Sequence, residues 1–180
     1  MDPAPRMFRA SDALVAAWTL VLLAFALMPL MTLQNSELGE NRAKCRSNLN
    51  QIGKALFLYA EKNNDLLPDA DGIEFLSRLY ETQTLEDPNV YLCPSWDDSI
   101  PATSNRLTLE SCDYSGLRNT DEALRLTPAR IARDGSRQAV SADRRPSHHD
   151  DVRNVLFADG HADSVEEEGY LRVHAGSLGE

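Results

Sequence analysis

The sequence predicts an α+β fold in which one long N-terminal helix, half of it transmembrane, packs on a small antiparallel sheet. Three observations lead to this fold class. Residues 13–33 form an uncharged apolar run, residues 41–59 carry an amphipathic helical stripe, and residues 154–165 resemble two short strands around a turn. Helical periodicity near the start and a strand–turn–strand pattern near the end place the helix and the sheet in different parts of the chain.

The apolar run decides the class of protein. Its 21 residues span about 30 Å as an α-helix, which is the thickness of the hydrocarbon core of a bilayer. Pro29 interrupts the run near its end, and membrane helices tolerate such a proline better than soluble helices do. Arg6 and Arg9 favour leaving the short preceding flank in the cytoplasm. We therefore expect a single-pass protein of the inner (cytoplasmic) membrane with its C-terminal domain in the periplasm.

Two other interpretations of residues 13–33 are less favourable. A cleaved signal peptide has an apolar core of about 7 to 15 residues followed by a small-x-small cleavage site. Ala24-Phe25-Ala26 has that shape but lies inside the run, so cleavage there would leave several large apolar side chains exposed. A buried helix of a soluble core would show a polar face toward water, and this run has none.

The charge of the chain falls on its C-terminal part. Two acids cancel two bases within residues 1–33, so the formal net charge of −10 belongs to residues 34–180. Nucleic acids and anionic lipid headgroups bind basic surfaces, so we expect no nucleic-acid partner. The orientation inferred from charge is weakened by three basic residues just beyond the run: Arg42, Lys44 and Arg46.

The expected organisation has four segments. They are a short cytoplasmic leader (1–12), a transmembrane helix (13–33), an amphipathic continuation of that helix (34–64), and an acidic extracytoplasmic α+β domain with a C-terminal hairpin (65–180). The continuation is indicated by apolar residues at spacings of three and four: Leu49, Ile52, Leu56 and Tyr59. Asn63-Asn64 and then Pro68 predict its end.

The rest of the domain is expected to be a short helix, loops and a hairpin. Residues 73–80 predict the helix, residues 87–95 a loop with at most a short strand, and residues 97–148 loops with scattered strands. Asp159-Gly160 between two apolar runs favours a type I′ turn. We expect the helix stripe to dock on the sheet face that includes Val155 and Phe157, and the acidic tail after Glu166 to be frayed.

Three cysteines leave one unpaired if the domain is oxidised. In an oxidising periplasm Cys93 and Cys112 would close a loop between two irregular segments, and this is the pairing we favour. Cys45 is then a small buried apolar residue on the helix. Spacing alone does not settle the connectivity.

Three segments in order resemble the pseudopilin-like proteins that end in a "His, nine residues, Asp-Gly" domain. The run Cys45-Arg46-Ser47-Asn48-Leu49-Asn50-Gln51-Ile52-Gly53-Lys54-Ala55-Leu56 is similar to their helix signature, and Leu92-Cys93-Pro94-Ser95 to their mid-domain Cys-Pro motif. His149, nine further residues and Asp159-Gly160 match the closing motif, and Ala142-Asp143-Arg144 also resembles the family. The resemblance covers most of the chain and implies a pseudopilin-like fold.

The resemblance also implies roles at the N-terminus. Family members carry a leader that is cut between Gly and Phe, with Glu four residues after that Phe. When Pro29 is matched to the family's late proline, Phe8 takes the Phe position, Asp12 the Glu position, and Met7 replaces the Gly. Asp12 would then pair with the free N-terminal amine of a neighbouring subunit, because a carboxylate in hydrocarbon needs a positive partner. The alternative is an interfacial acid satisfied by water and Arg9.

A polar cluster near the hairpin has three interpretations, of which acid–base catalysis by His149 and Asp159 is the least favoured. Imidazole and carboxylate groups suit zinc or another divalent metal, and four of them recur here: Asp143, His149, Asp159 and His161, with His148 adjacent. A hydrogen bond from His149 to Asp159 explains the same spacing without metal and is the interpretation we favour. No nucleophile elbow, phosphate loop or dinucleotide fingerprint is present, so we expect no enzyme and no cofactor other than such a metal.

Three functions follow as hypotheses, and the least favoured is an anchored hydrolase that would use His149 and Asp159 in a convergent pocket. The first is a non-catalytic structural subunit related to the pseudopilins of type II secretion and type IV pilus-like machines, whose partners are the membrane and other subunits or copies of itself. The second is a permanently anchored periplasmic domain that binds a ligand or divalent metal and does not polymerise. Phe8, Asp12 and Pro29 favour the first hypothesis, and Met7 favours the second.

Overall fold

A computed structural model describes residues 10–96, 98–120, 126–146 and 152–178. In chain order it contains helix α1 (Ala10–Lys62), helix α2 (Gly72–Glu81), strand β1 (Tyr114–Gly116), helix α3 (Pro128–Asp134), strand β2 (Ala139–Asp143), strand β3 (Val152–Phe157), strand β4 (Ala162–Glu166) and helix α4 (Glu167–Val173). Short 3₁₀ helices span Pro88–Tyr91 and Ala175–Ser177. The predicted α+β class with a long N-terminal helix and a small antiparallel sheet is confirmed.

Helix α1 belongs to two compact units. The first unit is Met1–Gly39 and the second is Glu40–Glu180. Helix α1 runs for 53 residues, from Ala10 to Lys62. In the described part of the chain, none of the helices has both the length and the apolar character that a membrane crossing requires.

The end of α1 follows from two asparagines, as predicted. The side-chain amide of Asn63 donates to the carbonyl oxygen of Tyr59 at 2.7 Å, which occupies an acceptor that the helix leaves free. Asn64 and Asp65 then adopt positive φ angles of 56° and 61°. Asparagine and aspartate tolerate this left-handed conformation better than most residues, and it turns the chain out of the helix.

The sheet has four antiparallel strands in the order β1-β2-β3-β4. Tyr114 of β1 pairs with Asp143 of β2, Ala142 of β2 pairs with Val155 of β3, and Asn154 of β3 pairs with Ser164 of β4. The register between β2 and β3 shifts between Ala139 and Ser141. Such a bulge changes which side chains share a face.

Helix α1 packs on the face of the sheet that carries Leu156. The apolar stripe Leu49, Ile52 and Leu56 is buried in one cluster with Val140 and Leu156. The expectation that it docks against Val155 and Phe157 is wrong, because neighbouring residues of a strand point to opposite faces. Gly53 allows the close approach, since a Cβ at this position would lie 3.0 Å from Cδ1 of Leu156.

The C-terminal tail covers the opposite face of the sheet. Val155 and Phe157 lie there in a second cluster with Tyr170 of α4 and with Leu178. Tyr170 is fully buried, and Leu178 forms an antiparallel bridge with Leu117. The expectation of a frayed tail is therefore wrong for the described residues up to 178, because the sheet needs apolar cover on both faces.

The hairpin between β3 and β4 is confirmed, but its turn is not type I′. A type I′ turn needs two central residues with positive φ angles. Here Gly160 has a φ of +90°, but the φ angle of Asp159 is not positive. The N–H of Gly160 donates to the carbonyl of Phe157, and the N–H of Phe157 donates to that of His161, each at 2.9 Å. This is the three-residue loop in which a left-handed glycine closes the turn.

The middle of the domain is more helical than expected. Helix α2 (Gly72–Glu81) confirms the predicted short helix. The region around Val90 is a 3₁₀ helix (Pro88–Tyr91) rather than a strand, and the carboxylate of Asp87 accepts the N–H of Asn89 at its start. Helix α3 (Pro128–Asp134) was not expected, although Thr127 caps it and Pro128 occupies its first turn.

Candidate functional site

The first candidate surface is the uncharged part of α1. Its large apolar side chains between residues 14 and 27 are each at least 50% exposed, up to 73% for Phe25. They lie all around the helix rather than on one stripe: Leu14, Val15, Trp18, Leu20, Val21, Leu22, Leu23, Phe25 and Leu27. An exposed apolar surface of this kind is typical of a segment that contacts lipid or other helices.

The predicted assembly residues lie at the edge of what the structure describes. Met7 and Phe8 lie outside the described residues. Asp12 and Pro29 belong to the backbone of α1, but their side chains are outside the described part. Their roles in leader cleavage and assembly therefore stay predictions.

The second candidate site is a row of polar side chains across the sheet. Ser164 of β4 donates from its hydroxyl to Oδ1 of Asn154 at 2.9 Å, and the Asn154 side-chain amide donates to Oδ2 of Asp143 at 2.7 Å. The backbone N–H of Asn154 donates to the same Asp143 oxygen at 2.9 Å. Tyr114 of β1 completes this polar row as the cross-strand neighbour of Asp143.

Asp143 is the buried centre of the polar row. It is 2% exposed, and its Oδ1 has no hydrogen-bond partner among the described residues. Burial raises the pKa of the Asp143 carboxyl to about 7, although the hydrogen bonds from Asn154 and the charge of Arg153 act to lower it. The neutral acid is therefore a populated form of Asp143 at neutral pH.

Arg153 connects the sheet to the C-terminal tail. Its guanidinium makes a two-point ion pair with Glu167, with Nε–Oε2 and Nη2–Oε1 distances of 2.6 and 3.0 Å. Its Nη1 donates to the carbonyl oxygens of Asp143 and Arg144 at 3.1 and 2.8 Å. The same guanidinium lies 4.5 Å from the ring centroid of Tyr170. A planar, multi-donor cation suits this position better than lysine would.

The disulfide joins Cys45 to Cys93, and Cys112 is the free, buried cysteine. The predicted Cys93–Cys112 bridge is wrong. Cys45 lies on the buried face of α1 above the Cys93 loop, a proximity that depends on tertiary packing. Burial raises the pKa of the Cys112 thiol to about 12, so this thiol is not reactive at neutral pH.

Asp113 fixes the disulfide loop to the start of the sheet. Its Oδ2 accepts the backbone N–H of Cys93 at 2.8 Å, and its Oδ1 accepts the hydroxyl of Ser99 at 2.5 Å. The Arg145 guanidinium lies 3.7 Å from Oδ1 of Asp113 and also pairs with both carboxylate oxygens of Asp98. The Arg145 guanidinium also lies 3.9 Å from the ring centroid of Trp96. Through these contacts Asp113 holds the loop around Cys93 and Ser99 in place beside Arg145.

The turn of the closing motif holds an Asp–His pair. Nδ1 of His161 lies 2.5 Å from Oδ1 of Asp159, and the His161 ring stacks on Phe157 with centroids 4.4 Å apart. Both members of the pair are exposed. His174 packs against the same Phe157 ring at 5.5 Å, and burial lowers the pKa of its imidazole. The pair orients one exposed imidazole at the tip of the hairpin.

The four residues predicted to cluster are not all brought together. Asp143 lies beside Asn154 near the start of β3, whereas Asp159 and His161 follow the end of that strand. His148 and His149 lie outside the described residues, so the predicted His149–Asp159 hydrogen bond stays a prediction. Among the described residues, no group of three or more His, Cys, Asp or Glu side chains is placed to hold a metal ion.

A cleft of about 540 Å³ opens where α2 begins. Its acidic residues already have partners. Asp71 accepts the N–H groups of Asn119 and Thr120 at 2.6 and 3.0 Å, and Glu74 pairs with Arg106 and Arg78. The remaining lining is Gly72, Ile73, Leu109, Arg118 and Leu178. The described residues here do not form a nucleophile–base pair of the kind that a hydrolase uses.

No family model, no curated protein and no solved structure matches this chain.

Several positioning residues have no strong sequence signal. Arg153 lies in β3 just before the apolar run 155–158, and its only signal is that a cation is unexpected in a buried strand. Asp113 follows Cys112 in a segment without sustained periodicity. Its role depends on contacts with residues up to 32 positions away in sequence, of which Arg145 is one.

Proposed function

We propose that this chain is a non-catalytic, membrane-anchored structural subunit similar to the pseudopilins of type II secretion and type IV pilus-like assemblies. One observation carries the proposal. A single helix, α1, carries exposed large apolar side chains between residues 14 and 27 and, further along, a buried apolar stripe (Leu49, Ile52 and Leu56) that packs on a four-stranded antiparallel sheet. We assign a different role to each part of the helix. The first part would anchor the chain or pack laterally against other helices, and the second part supports the domain.

The membrane anchor is the finer part of the proposal. Residues 13–33 are uncharged over 21 positions, which is the length that a helix needs to cross a bilayer. The exposure of the large apolar side chains between residues 14 and 27 is in keeping with a surface covered by lipid or by neighbouring helices. Arg6 and Arg9 favour a cytoplasmic leader and a periplasmic domain.

The disulfide supports placing the domain outside the cytoplasm. Cys45 and Cys93 are bonded within the second compact unit. Structural disulfides persist in oxidising compartments such as the periplasm and are rare in the cytosol. An inner-membrane protein whose residues 34–180 are exported would meet that condition.

Assembly would proceed by lateral packing of N-terminal helices. Phe8 would become the first residue after removal of the leader, and its free amine would pair with Asp12 of a neighbouring subunit. An ion pair of this kind is strongly favoured in hydrocarbon, where an isolated carboxylate is costly. The partners are then the membrane and other pseudopilin-like subunits or copies of this chain, and the acidic surface of residues 34–180 argues against nucleic acid.

The first test is the intact mass and N-terminal sequence of the protein isolated from membranes. A chain that begins at Phe8 is the expected result, and it would provide the amine that the assembly mechanism needs. A chain that still begins at Met1 or Asp2 would overturn assembly through Asp12. Resistance to extraction by alkaline carbonate tests the anchor separately, and release of the protein under that treatment would overturn the membrane span.

Variants at Asp12 test the assembly step itself. Asp12→Ala is expected to leave the protein in the membrane while crosslinked oligomers between copies are lost. Asp12→Glu keeps the charge and serves as the matched control. Equal crosslinking of the two variants would contradict the proposed pairing of Asp12.

A second candidate function is an anchored periplasmic domain that binds a ligand or a divalent metal and never polymerises. Met7 in place of the leader glycine favours it, and so does the exposed His161 imidazole oriented by Asp159. A carboxylate that fixes one ring nitrogen is the usual support of a metal-binding histidine. Titration with Zn²⁺, monitored by calorimetry, tests this candidate, with His161→Ala as the variant that should lose binding.

A further inference from the structure

The polar row contains a buried acid, Asp143, of which only one carboxyl oxygen has hydrogen-bond partners among the described residues. Oδ2 of Asp143 accepts two hydrogen bonds from Asn154, but Oδ1 is buried without a partner among the described residues. Because Oδ2 accepts two N–H groups, the proton of the neutral acid lies on Oδ1. An unpaired neutral hydroxyl costs less in a buried site than an ionised carboxylate, which needs more hydrogen bonds or water around both oxygens. The geometry therefore suits one protonation state of Asp143 better than the other.

The charged groups around Asp143 do not remove this preference. Asp113, at the entrance to β1, contributes a second negative charge that opposes ionisation, although the Arg145 guanidinium lies 3.7 Å from its Oδ1. Tyr114 of β1 is a buried phenol. From β3, Arg153 favours ionisation, but its guanidinium is already shared with the carboxylate of Glu167. Helix α1 faces this end of the sheet with Asn48, which is uncharged and donates to the Leu92 carbonyl at 2.9 Å.

The row lies at the end of the sheet where α1 joins the domain. The hydroxyl of Tyr114 is 3.4 Å from the carbonyl oxygen of Cys45 and 3.3 Å from that of Leu92. Further along the helix, Gly53 lies against Leu156 and Phe57 against Gly160. The helix thus runs along β3 from the polar row toward the hairpin, and the disulfide sits beside the row.

We propose that the protonation state of Asp143 controls whether this end of the sheet opens locally, and we call Asp143 the latch. In its neutral form it keeps the row from Tyr114 to Ser164 closed, and its ionisation favours local opening that admits water between β2 and β3. The latch involves only residues of the second compact unit. Its test is therefore independent of the proposed membrane anchoring and assembly.

The sign of the effect follows from linkage. The pKa of Asp143 is raised from 3.8 to about 7 by burial, whereas a water-exposed carboxyl in the open form would titrate near its ordinary value. Between these two values the opening equilibrium rises about tenfold for each pH unit, and it levels off above the higher value. Closure is therefore tightest in acid and weakest at neutral and alkaline pH.

Hydrogen exchange of the full chain in detergent micelles tests the latch. The amides to follow are those of Asn154, which donates to Asp143, and Arg144, which donates to the carbonyl of Asp113 at 2.8 Å. After correction for intrinsic exchange, their protection is expected to fall about tenfold per unit between pH 5 and pH 7. Amides of α2 serve as the internal reference and are expected to stay constant.

Two variants distinguish titration of Asp143 from other effects of pH on the domain. Asp143→Asn keeps the shape and one acceptor oxygen, and it is expected to make protection of Asn154 and Arg144 independent of pH. Asp163→Asn on the exposed edge strand β4 is the matched control and should behave like the parent chain, since the Asp163 carboxylate accepts only the N–H of Ser164 at 2.8 Å among the bonds described.

The carboxyl itself can be observed if Asp143→Asn does not fold. In the unmodified chain the carboxyl ¹³C signal of Asp143 is expected to titrate close to pH 7. Titration near pH 4, or protection that does not change with pH in the parent chain, would overturn the proposal. Persistence of the pH dependence in a folded Asp143→Asn variant would overturn it as well.

Discussion

The ring of Phe57 occupies the space that a side chain on Gly160 would need. A Cβ built on Gly160 would come within 2.7 Å of Cε2 of Phe57. Gly160 also has φ +90°, a conformation that residues with a side chain rarely adopt. The Asp-Gly turn of the closing motif is thus a contact between the hairpin and α1, in addition to being a turn.

Gly160→Ala is therefore expected to destabilise the domain by about 2 kcal/mol, from the left-handed backbone and the contact with Phe57 together. Urea unfolding monitored by circular dichroism measures the change. Gly169→Ala is the matched control, because a Cβ there meets Val165 at an ordinary 3.6 Å. Equal stability of the two variants would contradict the proposed role of the Phe57 contact.

The Cys45–Cys93 bridge is expected to stabilise the domain strongly. Its sequence separation is 48 residues, and a loop of that length corresponds to about 4 kcal/mol in the chain-entropy model. Cys45→Ser and Cys93→Ser should each lose most of this stabilisation, and the double variant should lose little more. Peptide mapping without reduction should recover the Cys45–Cys93 pair, and recovery of a Cys93–Cys112 peptide would contradict the structure.

Cys112 is expected to be inert in the folded protein. It is fully buried, and the pKa of its thiol is raised to about 12 by burial, so almost no thiolate forms at pH 8. A maleimide reagent should label it only after denaturation. Labelling of the native, non-reduced protein within minutes at pH 8 would show that the segment around Cys112 opens readily.

Arg153 is expected to control the attachment of the C-terminal tail. Arg153→Lys removes the two-point pair with Glu167 and leaves buried groups unpaired, at an expected cost of about 3 kcal/mol. Limited proteolysis should then cut within α4 earlier than in the parent chain. Arg133→Lys is the control, because Arg133 is exposed and pairs only with the neighbouring Asp134 among the contacts described. Proteolysis at the parent rate would argue against the Arg153 clamp.

Features with a local cause could be predicted from the sequence. The spacing of Leu49, Ile52 and Leu56 identifies the buried face of α1, and Asn63-Asn64 identify its end. The hairpin follows from two short runs around Asp159-Gly160. These signals involve residues close together in the chain, so periodicity and turn preferences suffice.

Features that depend on tertiary packing could not be predicted from the sequence. Val155, Leu156 and Phe157 are all apolar, so alternation does not say which of them faces the helix. The irregular register between Ala139 and Ser141 changes the facing pattern further. The disulfide partner of Cys93 is set by where α1 crosses the loop, and Arg153 acquires its role only when the tail folds back. The polar row likewise arises from strand register.

The position of Leu178 has a consequence for the order of folding. The last described residues supply the bridge to Leu117 and part of the cover over Val155 and Phe157. A nascent chain therefore exposes one bare apolar side of its sheet until residue 178 has emerged. We therefore expect this face of the sheet to gain its full apolar cover only late in synthesis, once Leu178 can pair with Leu117.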